Sequence, residues 1–194
     1  MDTPANMLGF WGSEPVVRRL WASERKEWCE HLLRLGPEDR RDRFAGVVSD
    51  EFIRGYCERV DPFSLTLFGA FVDGELRAVG EFAMLGNDGP RRAELAFSVE
   101  SGWQNRGLGT ALFRRLVMHA RNRAVARVYI VSEPGNRRMH RIARKFDMTL
   151  SAEYGETAGR MELLGPSYMS VMEEMMEEGM ALFRNAPRLP LPGD

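Results

Sequence analysis

Two cysteines, Cys29 and Cys57, are all that this chain carries in 194 residues. One pair cannot build a disulfide framework, which argues against a stapled secreted scaffold. No apolar run approaches the roughly 20 residues needed to cross a bilayer. The stretch Met1 to Trp11 has no basic region followed by an apolar one, so no signal peptide is expected. Excess charge is missing as well: 27 Lys and Arg stand against 28 Asp and Glu, a formal charge of -1. Bulk attraction to nucleic acid or to an anionic membrane is therefore not expected. Histidine is scarce. His31, His119 and His140 are not spaced with Cys or carboxylates as a zinc site requires, so no metal is expected and all three read as structural. No Ser-His-Asp arrangement is discernible. A soluble cytoplasmic protein with one domain of ordinary size is the simplest reading.

What is there centres on one stretch. Ala93, Leu95, Phe97 and Val99 alternate with Glu94, Ala96, Ser98 and Glu100, the period of a strand. Gln104-Asn-Arg-Gly-Leu-Gly-Thr110 then turns into a helix whose stripe is Leu108, Leu112 and Leu116, with Phe113, Val117 and Ala120 beside it. The first amides of such a helix have no carbonyl partner, and the helix dipole adds positive potential there. A phosphate or pyrophosphate suits that spot, and Gly107 and Gly109 let it approach the backbone. No Gly-Lys-Ser/Thr follows, so this is not a Walker loop. The spacing of Gly102, Gly107 and Gly109 does not match a dinucleotide fingerprint.

Residues 1 to 14 read as a loose arm. Val16 to Trp21 is a plausible first strand, followed by a helix capped by Ser23 with Trp28, His31, Leu32 and Leu35 on its buried face. Helices are expected over Pro37 to Phe44 and, capped by Ser49, over Ser49 to Val60. Leu65 to Val72, the Asp73-Gly74 turn, Leu76 to Leu85 and Arg91 to Glu100 form an antiparallel meander. Ala126 to Val131 is a near-continuous apolar run, read as a strand buried on both faces and reached by a parallel crossover. Asn136 caps a last helix with Met139, Ile142, Ala143 and Phe146 on one face. A hairpin over Met148 to Tyr154 and Gly159 to Leu164 closes the domain, which spans 15 to 165. The segment 166–185 is an amphipathic helical tail. Tyr168, Met172, Met175, Met176, Leu182 and Phe183 lie on one side, and Glu173, Glu174, Glu177 and Glu178 on the other. The apolar side either packs on its own domain or offers a partner or homodimer surface, because Met adapts to irregular partners. Residues 186–194, rich in Pro, are expected to be disordered.

Gln-x-x-Gly-x-Gly between a strand ending Val-Glu and a helix beginning Thr-Ala-Leu resembles the acyl-CoA site of the GNAT superfamily of N-acyltransferases. The resemblance covers nearly all of residues 16 to 164. Leu35 to Phe44, Gly69 to Gly74 and Ala93 to Phe97 look most like the GNAT domain of bacterial protein-lysine acetyltransferases. It implies an α/β (α+β) fold whose mostly antiparallel sheet has a central parallel pair splayed for acyl-CoA. Acetyl-CoA would be the co-substrate and an amine, a protein lysine or a small molecule, the acceptor. The pantetheine arm would bond the backbone of Phe97, Ser98 and Val99. The pyrophosphate would rest on Gln104, Asn105, Arg106, Gly107, Leu108, Gly109 and Thr110, and Asn136 would touch the pantetheine. Arg137, Arg138 and Arg141 read as a solvated helix face, with the ribose phosphate as the alternative target.

An alkylamine with a pKa of about 10.4 is mostly protonated at neutral pH, so a base is required. The resemblance makes Glu94, in its Ala-Glu-x-Ala context, the first candidate, and Glu81 on the adjacent strand the second. For each the plain alternative is a surface or cross-strand carboxylate. A backbone N–H near Val99 would hold the oxyanion. Many family members carry a tyrosine on the final helix, before Gly-Phe, to protonate the leaving thiolate. Here Ala143 stands in that place and Asp147-Met148 replaces Gly-Phe. Tyr129 or Tyr154 is left to substitute, without motif support. The acid can also be dispensable, since a thiol of pKa about 8.5 leaves tolerably as thiolate.

Overall fold

The computed structural model describes residues 14–61, 64–86, 89–153 and 155–184. The expected arm up to residue 13, Tyr154 and the Pro-rich end from residue 185 lie outside them. The order is β1 (Val16–Arg19), α1 (Arg25–Arg34), α2 (Pro37–Phe44), α3 (Asp50–Arg59), β2 (Leu65–Val72), β3 (Glu75–Leu85) and β4 (Arg92–Val99). Then come α4 (Leu108–Asn122), β5 (Arg127–Ser132), α5 (Arg137–Lys145), β6 (Thr149–Glu153), β7 (Glu156–Glu162) and α6 (Tyr168–Arg184). The strands form one sheet in the order β1-β2-β3-β4-β5-β7-β6. Every neighbouring pair is antiparallel except β4 and β5.

Strand alternation divides the core in two. Phe68, Phe82, Leu95, Val128 and Ile130 meet Leu112, Phe113 and Leu116 of α4 and Met139 of α5 on one face. On the other, Phe71, Leu76 and Val79 lie under Trp28 and Leu32 of α1 and Ile53 and Cys57 of α3. Each fully buried Leu or Phe contributes about 1.5–3 kcal/mol. Local chemistry sets the boundaries. Ser49 Oγ accepts from Phe52 N at 3.2 Å and Asn136 Oδ1 from Met139 N at 2.9 Å, so both expected caps form. Asp73 and Gly74 both take positive φ, 51° and 81°, as a tight two-residue hairpin turn demands.

Two expectations are corrected. Glu24, not Ser23, stands at the N-cap of α1, because a short 3-10 turn over Ala22–Glu24 precedes the helix. The Glu24 carboxylate accepts instead from Arg18 and from Trp21 N. β5 is not buried on both faces: Val128 and Ile130 are, but Val131 is 46% exposed. The layer that contains α1 and α3 covers the β1 side of the sheet and stops short of β5.

The tail helix docks the other way round from its apolar stripe. Ser170, Glu174, Glu178 and Ala181 point inward, whereas Tyr168, Met169, Met172, Met175, Met176 and Met180 are exposed. Arg115, only 2% exposed on α4, pairs with Glu177 at 3.2 Å and with Glu178. Glu174 takes Asn122 Nδ2 at 2.8 Å and Arg123 Nη1 at 3.2 Å and faces His119 Nδ1 at 3.2 Å. Burial raises the pKa of Glu174, but these partners outweigh it and hold the carboxyl at about 2. A buried arginine left uncompensated costs more than exposed methionines do, so charge decides the orientation. The side chains of Leu182 and Phe183 lie outside the described set.

Candidate active site

β4 and β5 pair only at Arg92–Arg127, Ala93–Val128 and Glu94–Tyr129, after which the ladder ends and the strands part. Along β4, Glu100 N donates to Arg77 O at 3.0 Å, on the β3 side. In an antiparallel ladder that direction alternates, so the amides of Phe97 and Val99 turn toward the gap, where no strand meets them. The expected splay is present, on the expected pair.

The gap opens into a cleft lined by Phe97, Ser98, Val99, Gln104, Asn105, Gly107, Gly109, Thr110 and Asn136. Nine of the expected cofactor-binding residues therefore come together. Gly107 sits at φ 90° as the N-cap of α4, a conformation that a side chain resists. A Cβ on Gly109 would lie 2.9 Å from Ile142 Cδ1, so glycine also lets α5 pack close. Two expected residues fall elsewhere. Leu108 is 1% exposed and belongs to the core, and the Arg106 guanidinium lies over the Trp103 ring, 4.9 Å from its centroid.

The charged residues Asp39, Asp42, Arg138, Arg141 and Lys145 also line it, together with the apolar Trp103, Met139 and Ile142. Gln104 Nε2 donates to Asp39 Oδ1 at 2.7 Å and to Val99 O at 3.0 Å. Arg138 donates to Gln104 Oε1 and lies 3.3 Å from both Asp39 and Asp42, which ties α5 to α2. Arg138 and Arg141 thus face the cleft rather than bulk water alone, whereas Arg137 is exposed outside its lining. Sequence spacing gave no hint that two α2 carboxylates would meet them.

Glu94 and Glu81 share the sheet face that carries α1 and α3, outside the cleft lining. Glu81 is 3% exposed. It accepts from Arg43 Nε at 3.1 Å, again from Arg43 Nη2, and from the Tyr56 hydroxyl at 2.9 Å. Burial and the Glu81 charge together push the Tyr56 phenol well above its ordinary value. Glu94 is half-buried, at the last rung before the gap, and makes no hydrogen bond or ion pair among the described residues.

A second polar cluster escaped sequence reasoning. His31, fully buried on α1, has Nε2 2.9 Å from Ser98 Oγ and Nδ1 3.2 Å from Glu100. Glu100 also takes Arg34 Nε at 2.8 Å and Arg77 Nη1 at 3.0 Å. Burial depresses the His31 pKa despite Glu100. Burial raises that of Glu100, but His31 and Arg34 outweigh it and keep the carboxylate ionised. An ionised carboxylate only accepts, so Nδ1 carries the proton of a neutral imidazole and Nε2 accepts from Ser98. Ser98 and Glu100 did share the polar face of their strand, but nothing local announced a histidine nearly seventy residues away. Among the described residues, no group of three or more His, Cys, Asp or Glu could hold a metal ion, and no helix is long and apolar enough to cross a membrane.

Known proteins resemble this chain in sequence or in fold. Acetyltransferase PA5475 of Pseudomonas aeruginosa is 29% identical over 134 residues, 66% of this chain and 71% of that protein. The GNAT domain of S. lividans PAT superposes with a TM-score of 0.64 at 22% identity, covering 76% of this chain and 89% of that one. PaiA N-acetyltransferase of Thermoplasma acidophilum, solved in complex with coenzyme A, superposes at 0.58 and 15% identity, covering 77% and 99%. The model of the acetyltransferase (GNAT) family matches residues 18–148, most of the chain. With the single parallel pair, its splay and the glycine turn that follows, the conclusion is direct: this chain belongs to the acetyltransferase (GNAT) family.

Proposed function

We propose that this protein transfers an acetyl group from acetyl-CoA to a primary amine, and that the amine is a protein lysine. The observation that carries the reading is the end of the β4–β5 ladder at Glu94–Tyr129, directly beside the cleft that holds the free amides. Pantetheine would pair with Phe97 and Val99 like a short added strand. The pyrophosphate would take the amides at the start of α4, where the dipole favours an anion. Arg141 and Lys145 line the cleft and would offset the diphosphate charge, while Arg138 is already paired with Asp39 and Asp42. Asn136 lines the same cleft, although its Oδ1 already caps α5.

Glu94 is the base in this reading. Its carboxylate has no competing partner among the described residues, and it marks the rung where the thioester would lie. Glu81 is the weaker candidate, since Arg43 and Tyr56 already occupy both oxygens. The alkylammonium gives its first proton to Glu94, and the freed lone pair attacks the thioester carbon. A macromolecular acceptor fits the open surface here: Val131, Arg160 and Glu162 are all exposed around β5 and β7.

The test is thiol release from acetyl-CoA across a panel of small amines and lysine peptides, with Glu94→Gln as control. Turnover of peptides by the wild type, abolished in the variant without loss of acetyl-CoA binding, supports the reading. Turnover of small amines alone would move the acceptor class. Binding without turnover would make the protein an acyl-CoA sensor.

A further inference from the structure

The buried Ser98–His31–Glu100 chain is unexplained by the chemistry above, and it opens onto the cleft through Ser98. Ser98 is 5% exposed and lines the cleft between Phe97 and Val99, the residues whose amides face the gap. Its hydroxyl proton is committed to His31 Nε2, because Nδ1–H is committed to Glu100. The lone pairs of Ser98 Oγ are therefore the part of that group left to meet a ligand, and they accept. Behind them sits a base whose far side is fixed. Glu100 is gripped by Arg34 and Arg77, and Arg34 Nη2 also donates to Leu76 O at 2.8 Å, so α1, β3 and the end of β4 hold the imidazole in one orientation.

Transfer to an alkylammonium needs two proton removals. One frees the lone pair before attack, and the other follows attack, when the nitrogen is again positive. Glu94 serves the first. The departing sulfur also needs a proton, and on α5 the fully buried Ala143 stands where the resemblance calls for a tyrosine.

We propose that Ser98 and His31 form a relay that carries the second amine proton to the departing sulfur. This rests on the acetyl-transfer reading above. The amine lone pair forms the C–N bond, and the carbonyl π pair moves onto oxygen. The charged nitrogen gives its proton to Ser98 Oγ while the proton of Ser98 passes to His31 Nε2, and Glu100 stabilises the imidazolium. The carbonyl re-forms and the C–S bond breaks with its electron pair on sulfur. Ser98 then protonates sulfur and recovers a proton from His31 Nε2. One C–S bond is lost, one C–N bond is gained, one proton has moved from nitrogen to sulfur, the relay is reset, and half-buried Glu94 releases the other proton to solvent. Ser98 is the catalytic residue of this step. His31 acts through it, and Glu100 positions His31.

An isosteric pair tests the relay. Ser98→Thr keeps a hydroxyl, and Ser98→Val has the same shape without one; both suit a strand. The expected result is kcat within about threefold of wild type for Thr and about 100-fold lower for Val, the usual scale of general acid–base catalysis. The acetyl-CoA Kd from calorimetry should be unchanged in both. His31→Gln, which can hydrogen-bond but not take up a proton, should match Val. Equal kcat for Thr and Val would overturn the relay. So would a Val variant whose loss lies wholly in acetyl-CoA affinity, since the hydroxyl would then be only a binding group. If either variant fails to fold, Ser98→Ala against the wild type makes the hydroxyl comparison, and His31→Gln should then match Ala. A wild type that turns over no amine overturns both this step and the acetyl-transfer reading. Normal wild-type turnover that Ser98→Val matches overturns this step alone.

Discussion

Glu81 and Glu94 stand on adjacent strands and the same sheet face. Glu81 is opposite Ala96, and Glu94 is two residues back along β4. Their surroundings differ completely. Glu81 is enclosed by Arg43 and Tyr56 under the α2–α3 layer, while Glu94 sits at the layer's edge without a partner among the described residues. One carboxylate is spent on holding α2 and α3 to the sheet, and the other is kept available. Reach of the helical layer, rather than residue type, separates the two environments.

The contrast breaks most sharply if the two carboxylates are exchanged in function. Glu94→Gln should lower kcat/KM by about 10²- to 10⁴-fold, with the melting temperature and the acetyl-CoA Kd unchanged. A drop in melting temperature of the same variant would show that Glu94 is structural after all. Glu81→Ala should do the reverse. It leaves the Arg43 charge buried and unpaired, which costs about 3–5 kcal/mol in urea unfolding. A variant as stable as the wild type would mean that Arg43 escapes to solvent.

A third expectation sharpens the same division between buried polar anchors and open groups. Burial depresses the pKa of both His31 and His119 below the ordinary 6.5. The unfolded chain then binds more protons than the native one as pH falls below about 6.5, so stability declines toward acid. Their contribution is fully present above 6.5 and is lost on the way down to the folded pKa values. Each neutral histidine accounts for at most about 1.4 kcal/mol per pH unit in that window. Urea midpoints between pH 7.5 and 5 would measure it, and His119→Gln should flatten part of the slope. The smallest effect belongs to the outward tail: Met175→Gln should shift stability by less than about 0.5 kcal/mol, as at other exposed positions. A larger loss, read from the same urea curves, would mean that the methionine face is covered in solution.

Much of the fold was legible because its signals are local. The alternation over Ala93 to Val99, the glycines at 107 and 109, the Asp73-Gly74 turn and the caps at Ser49 and Asn136 each lie within a few residues of what they control. The same holds for the cleft lining, which one strand, one turn and one cap mostly supply. The rest depends on partners distant in sequence. Glu81 meets Arg43 across 38 positions and His31 meets Ser98 across 67, and no window along the chain contains either pair. One face of β5 was misread because an apolar run reports hydrophobicity, not how far the covering helices extend. Which face of the tail packs inward was left open because the buried Arg115 that claims the glutamates lies far earlier in the chain.

The inverted tail has a chemical consequence. Met169, Met172, Met175, Met176 and Met180 present five thioethers to solvent on one helix. Peroxide would reach these sulfurs before it reached the interior, and conversion to sulfoxide would make that surface more polar. The ionic clasp beneath would not change, because Glu174 and Glu178 hold the helix from the opposite side. Oxidative damage would be absorbed there at no cost to the packing of α4, the helix whose first turn faces the cleft.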